Sequence, residues 1–110
     1  MGKKILIVDD AREIRELLKA ALEEEYEVTS CKNGKEGWRS IKDSQFHLVI
    51  TDWEMPKMNG LELTERIKAS FPQTPVILTS GIVPEEHPAD AFLQKPWDLQ
   101  ELLELIKNLL

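Results

Sequence analysis

Apolar residues fall along this chain in two rhythms. Short unbroken runs, Ile5-Leu6-Ile7-Val8 and Leu48-Val49-Ile50, have the length and branched-aliphatic content of strands buried on both faces of a parallel sheet. Between them Ile14, Leu17, Leu18, Ala21 and Leu22 recur at the spacing of an amphipathic helix, with Asp10 and Glu13 placed as a capping pair at its start. The same start signal returns three times. Asn33 with Glu36 opens a helix carrying Trp38 and Ile41, Asn59 with Glu62 opens one carrying Leu63 and Ile67, and Asp98 with Glu101 opens the last, where Trp97 and Leu102 are spaced as a hydrophobic staple. Further strands are expected over residues 26–31, 47–51, 76–79 and 91–94. Strand and helix alternating in this way predict a three-layer α/β domain.

One crossover departs from the rhythm. Residues 81–90 separate the fourth strand from the fifth and hold Pro84 and Pro88. A parallel crossover with its helix needs about 10–12 residues, and proline removes a backbone donor and turns the preceding residue away from helix. An extended loop or single turn is therefore expected there, with no fourth helix of ordinary length. The sheet beneath should be thinly covered, with Ile82 and Val83 either folding back over it or offered to a partner. In the last helix Leu99, Leu102, Leu103 and Ile106 share one face, and Leu105 and Leu109 widen the apolar arc enough to meet a partner or a second copy.

Chemistry gathers at the strand ends. Asp9 and Asp10 close the first apolar run and Asp52 closes the second. In parallel sheets ligands bind beyond the carboxyl ends of the strands, so neighbouring strands would bring these acids into one crevice. Carboxylates so placed repel one another unless a cation, proton or lysine neutralises part of the charge, which points to a hard metal ion. His47 and His87 lack partners at metal-ligand spacing and read as structural or surface residues, and Cys31 as a buried small hydrophobe.

Composition narrows the setting. The chain has 110 residues, 42% hydrophobic and 31% charged, which suits one compact domain spanning 1–110. Its formal net charge of -6 argues against a nucleic-acid or anionic-membrane surface and for protein partners. The single cysteine makes no internal disulfide, and the apolar stretch after Met1-Gly2-Lys3-Lys4 is too short for a signal-peptide core or membrane span. A cytoplasmic setting is expected.

Taken together, the Asp9-Asp10 pair, the stretch Asp-Trp-Glu-Met-Pro-Lys-Met-Asn-Gly over 52–60, the stretch 75–81 and the Lys95-Pro96 step resemble the CheY-like receiver domain of two-component response regulators. The resemblance covers the whole chain and implies a flavodoxin-like, doubly wound five-stranded sheet in the order 2-1-3-4-5. It implies that Asp52 is the phosphoacceptor, taking a phosphoryl group from a sensor histidine kinase or histidine phosphotransfer protein with Mg²⁺. By the same likeness Asp10 ligates the metal directly, Asp9 largely through water, and Glu54 lends its backbone carbonyl. Lys95 neutralises the transferring group, and Ser80, favoured over Thr79, and Phe92 form the switch that signals to a downstream protein or output domain. The Lys95-Pro96 bond resembles the family's cis step.

The domain would be a monomer or weak homodimer, and no enzyme in its own right, though it assists its own phosphorylation and dephosphorylation. Three other classes compete. A flavin-binding flavodoxin would need a phosphate loop where Asp-Asp-Ala-Arg-Glu stands, and a phosphohydrolase would need a substrate pocket. A receiver-like interaction module whose output no longer depends on phosphorylation is the nearest alternative, prompted by the short fourth crossover.

Overall fold

In the computed structural model, which describes residues 2–110, the first apolar run becomes β1 (Lys4–Val8) and the second β3 (Leu48–Asp52). Around them in chain order stand α1 (Arg12–Leu22), β2 (Glu27–Cys31), α2 (Gly34–Asp43), α3 (Gly60–Ser70), β4 (Val76–Ser80), β5 (Ala91–Gln94) and α4 (Leu99–Leu109). The strands are parallel in the order β2-β1-β3-β4-β5, as expected. Every residue of β3 and β4 is buried, whereas the edge strand β2 is largely exposed. Continuous apolar runs thus mark the sheet's centre, where both faces are covered.

Side chains alternate along each strand, so the sheet feeds two separate cores. Ile5, Ile7, Leu48, Ile50 and Ile77 pack with Leu18 and Leu22 of α1 and Leu102 and Ile106 of α4. On the opposite face Leu6, Val8, Val49 and Val76 pack with Ile41 of α2 and Leu63 and Ile67 of α3. Fully burying such a side chain contributes about 1.5–3 kcal/mol, so these two layers outweigh any single polar contact in the fold.

The helix starts follow their caps with one exception. Asn33 accepts the Glu36 N–H at 2.9 Å and Asn59 accepts the Glu62 N–H at 2.8 Å. Asp98 caps α4 through the Gln100 N–H at 3.0 Å, one residue short of the expected Glu101. At α1 the Asp10–Glu13 pair does not form: the cap position is Ala11, which has no side chain to cap the first turn. Asp9 has instead taken the Ala11 N–H at 2.9 Å, so the chain turns on Asp9 and enters the helix one residue late.

Three sets of apolar side chains are placed by the packing. Leu17 is 46% exposed, because α1 meets the sheet through Ile14, Leu18 and Leu22. Leu105 and Leu109 are half-buried against the α1–α4 core, so the wide arc of α4 is used inside the fold. Of the two outcomes open for Ile82 and Val83, exposure is the one found, at 76% and 58%, while Ala89 of the crossover packs against the α2–α3 core.

Among the described residues no helix lies between β4 and β5. The crossover is instead tied at its far end. Asp90 Oδ2 accepts the Val76 N–H at 2.7 Å and the Lys68 ammonium at 2.8 Å, and the Asp90 N–H returns to the Val76 carbonyl at 3.0 Å. Lys68 also donates to the carbonyls of Thr74 at 3.0 Å and Pro72 at 3.2 Å, joining the end of α3 to the start of β4. One aspartate therefore closes a connection that a helix would otherwise pack into place.

Removing that carboxylate strips the buried Val76 N–H of a partner, which costs about 1–3 kcal/mol. Urea unfolding of Asp90→Ala is expected to show a loss in this range. Hydrogen exchange in the intact protein should find residues 81–88 fast and β4 slow, and helical protection over 83–88 would contradict the loop.

Candidate functional site

The crevice is assembled from strand ends. Val8 pairs with Thr51, so Asp9 and Asp52, each one residue further on, meet where β1 and β3 stop. Both strands β3 and β4 run one residue beyond the stretch expected from sequence, which makes Asp52 and Ser80 their last residues. Across β4, Lys95 follows β5 and is anchored by its N–H to the Ser80 carbonyl at 2.8 Å. The Lys95-Pro96 peptide is cis.

Asp9, Asp10 and Asp52 each offer a carboxylate oxygen within 4.8 Å of the others, with Asp9 and Asp52 buried and Asp10 exposed. The Lys95 ammonium lies 2.9 Å from Asp52 Oδ1 and 3.8 Å from Asp9 Oδ2. Close though it is, that Oδ1 is buried without a partner of hydrogen-bond geometry. Burial pushes the Asp52 carboxyl up, against Lys95, and the Asp9 and Glu54 charges add to the rise. Asp9 is raised likewise, burial outweighing its bond from Ala11 and the pull of Lys95. Burial works against the Lys95 charge, but Asp52, Asp9 and Glu54 together hold its pKa above the usual lysine value. One cation thus faces several anions.

Those oxygens fit a metal. An all-oxygen donor set, two members buried and one atom unpaired, suits a hard divalent ion that keeps part of its water, as Mg²⁺ does. The expected carbonyl donor, Glu54, sits two residues beyond Asp52 in the loop that leads to α3.

That loop folds back on the Asp52 backbone. The Gly60 N–H reaches the Trp53 carbonyl at 2.8 Å, and a Cβ on Gly60 would stand 1.9 Å from the Asp52 carbonyl oxygen. Any larger residue would push the loop off Asp52. At its tip the Met58 N–H bonds the Pro56 carbonyl at 2.9 Å across Lys57, whose φ of 70° lies in the left-handed region. Such backbone is held against a cost of about 1–3 kcal/mol by its surroundings.

Ser80 and Phe92 are placed differently from each other. The Ser80 hydroxyl donates to Glu54 Oε2 at 2.7 Å and accepts the Ile82 N–H at 3.1 Å. Thr79 lies beside Asp52 in the sheet register but, among the described residues, no side-chain bond involves it. Phe92 is half-buried and lies against His87, ring centroids 5.7 Å apart. It faces the crossover instead of the carboxylates.

Two contributors went unread in the sequence. The Glu54 side chain holds Ser80, a role signalled only by a long carboxylate two residues after a strand-end aspartate. Arg15 donates from Nη1 to the Asp9 carbonyl at 2.8 Å, and its position on the polar side of α1 gave no sign of this.

Comparison with known proteins places the site in a family. The family described as response regulator receiver domain matches residues 5–107. NtrC of Azospirillum brasilense, a DNA-binding transcriptional regulator, is 38% identical over 114 residues, covering 96% of this chain and 24% of that protein. The chain spans about a quarter to about a half of the length of the curated relatives it matches. Among solved structures, response regulator TrrA of Thermotoga maritima in complex with Mg²⁺-BeF superposes with a TM-score of 0.91 at 37% identity, covering 98% of this chain and 99% of that one. TrrA bound to histidine kinase ThkA gives 0.87 at 37% identity, with 98% of each chain covered.

A carboxyl raised in the folded state stabilises the fold below its unfolded pKa and loses that contribution as pH rises through the folded value. At neutral pH ionised Asp52 therefore works against folding. Asp52→Asn is expected to be more stable than the natural chain at pH 7 by urea unfolding, with the gap narrowing as pH falls towards the ordinary carboxylate range. An unchanged or destabilised variant at pH 7 would contradict the burial reading.

Proposed function

The chain belongs to the response regulator receiver domain family, and on that footing we propose that Asp52 is its phosphoacceptor and that residues 1–110 act as a single receiver unit. The observation that carries this reading is the Asp52 carboxylate, buried, its Oδ1 without a hydrogen-bond partner, facing Lys95 at 2.9 Å and sharing its crevice with Asp9 and Asp10. A flavodoxin's phosphate site has no place among these acids. Dependence on phosphorylation is favoured over a module that has lost it, since acceptor, acid pair and lysine stand together.

Asp9, Asp10, Asp52 and the Glu54 carbonyl would hold Mg²⁺, which supplies charge neutralisation on the phosphoryl oxygens when bound. An Asp52 oxygen attacks phosphorus in line as the bond to the donor's imidazole nitrogen breaks; that nitrogen leaves with the bonding pair and takes up a proton. Lys95 neutralises charge on the group in transfer and afterwards on the acyl phosphate. Positioning does most of this work, so the domain assists a transfer without being an enzyme on another substrate.

Ser80 must exchange partners to report the event. In the resting protein its proton is held by Glu54, and a phosphoryl oxygen on Asp52 would compete for it. A donor protein would need a seat beside Asp52. An apolar groove of about 400 Å³, formed by Ile14, Leu17, Pro96 and Trp97, opens beside Lys95 and accounts for the exposed Leu17. A helical histidine kinase or histidine phosphotransfer protein presenting its phosphohistidine there would reach Asp52.

By analogy with its longer relatives the domain would pass its state to a downstream protein or output domain, as a monomer or weak homodimer. None of the described helices is long and apolar enough to cross a membrane, and by analogy with its family the domain would act in the cytoplasm.

A small acyl phosphate donor with Mg²⁺ should label the protein once, read by intact mass. Asp52→Asn should lose the label, and a chelator should suppress it; full labelling in either case would remove Asp52 or the metal from the reading. Lys95→Arg keeps charge while changing reach, so it should still label but fail to shift the emission of Trp53 and Trp97. Ser80→Ala should blunt the same shift. If labelled Lys95→Arg matched the labelled natural chain, the coupling role of Lys95 would fall.

A further inference from the structure

Charge is unevenly spread over this acidic chain. Its net charge is -6, yet five of its 14 lysines and arginines, Lys35, Arg39, Lys42, Lys57 and Arg66, line one groove of about 360 Å³ between α2 and the start of α3. Among the described residues Glu62 is the one acid in that lining, and Arg66 already pairs with it at 3.2 Å. All five cations are exposed, so none is needed to neutralise a buried group.

The groove is also shaped. Trp38 is half-buried within it, with the Lys42 ammonium 5.7 Å and the Arg66 guanidinium 6.0 Å from its ring centroid, near enough for the ring to hold both cations beside it. Phe71 fixes the indole from behind, edge-on at 6.1 Å. Two glycines press α2 inward: a Cβ on Gly34 would stand 2.2 Å from the Met58 carbonyl oxygen, and one on Gly37 2.9 Å from Val8. The groove is therefore built before any ligand arrives, which lowers the ordering cost of binding. Lys57 joins it from the tip of the loop that begins at Asp52.

We propose that this groove docks an acidic segment of a protein partner, several carboxylates flanking one apolar side chain that lies on Trp38. Charge complementarity supplies the recognition. A long polyanion such as nucleic acid fits poorly, because beyond these five cations it would meet the rest of a strongly acidic surface. A small inorganic anion would leave the indole unused.

Fluorescence anisotropy on the full chain tests this with three labelled probes: a 12-residue Glu-rich peptide with a central Leu, the same peptide with Gln for every Glu, and a 12-nucleotide single-stranded DNA. The acidic peptide should bind, weaken with added salt, and bind at least tenfold more weakly to R39E/K42E, while the Gln peptide should not bind. R39E/K42E must still accept phosphoryl label at Asp52, which shows that it is folded; should it fail to fold, K35E on the same groove replaces it. Equal binding of the acidic peptide to the natural chain and the variant would overturn the proposal, as would equal binding of the two peptides. Tighter binding of DNA than of the acidic peptide would reassign the groove to nucleic acid and overturn it. So would self-association of the chain alone, abolished by R39E/K42E, which would assign the groove to a second copy.

Discussion

Repulsion among carboxylates at the ends of β1 and β3 is the constraint around which this domain is arranged. Two unit charges 4 Å apart interact by about 4 kcal/mol at the effective dielectric of a partly buried site. Asp9, Asp10 and Asp52 bring carboxylate oxygens within 4.8 Å of one another, and among the described residues Lys95 is the one ammonium drawn into their midst. Lys95, with Arg15 acting on Asp9 besides, does not offset three carboxylates, so the crevice retains a deficit of positive charge, and burial makes the carboxylates' negative charge costlier to hold, pushing the Asp9 and Asp52 carboxyls up. That deficit is the affinity of the site: a divalent ion or a protonated carboxyl relieves it. A scaffold holding such a site must be stiff, and the two aliphatic layers on either face of β1, β3 and β4 supply the stiffness.

Local devices then keep the acids from drifting apart. Asp9 spends Oδ1 on the Ala11 N–H and has its carbonyl held by Arg15, so its other oxygen, Oδ2, is the one turned towards Lys95. Gly60 lets the β3–α3 loop lie directly on the Asp52 backbone. Lys95 is held through its N–H to the Ser80 carbonyl, so the strand that carries the Ser80 hydroxyl also anchors the cation. These contacts are individually modest, about 0.5–1.5 kcal/mol each, yet all of them act on the same few atoms.

Much of this was legible in the amino-acid order, and the omissions have a common cause. Continuous apolar runs ending in Asp announced the central strands, and Asn33 and Asn59 announced their helices, because each signal lies within a few consecutive residues. The short crossover was legible from Pro84 and Pro88 for the same reason. What escaped depended on distance in sequence: the Ser80–Glu54 bond spans 26 residues, and the exposure of Leu17 is decided by which stripe of α1 the sheet can reach. Asp10 misled as a cap because its neighbour Asp9 competes for the same helix start and takes the Ala11 N–H first.

The replacement of a fourth helix by a loop changes how a signal could leave the site. Ser80 is bonded on one side to Glu54 and on the other to the Ile82 N–H, the first stretch of the crossover. A hydroxyl that moved towards a phosphoryl group on Asp52 would therefore release Ile82 and Glu54 together. A helix resists such a release through its own ladder of hydrogen bonds, which must give way as a unit. The loop has no such ladder; His87 against Phe92 and Asp90 against Lys68 are its holds further along. Freed at Ser80 and fixed at Asp90, the segment between them carries no helix or strand and presents Ile82 and Val83 to solvent. With a loop in place of the helix, the Ser80 hydroxyl is joined to this exposed apolar surface through one bond, that from the Ile82 N–H.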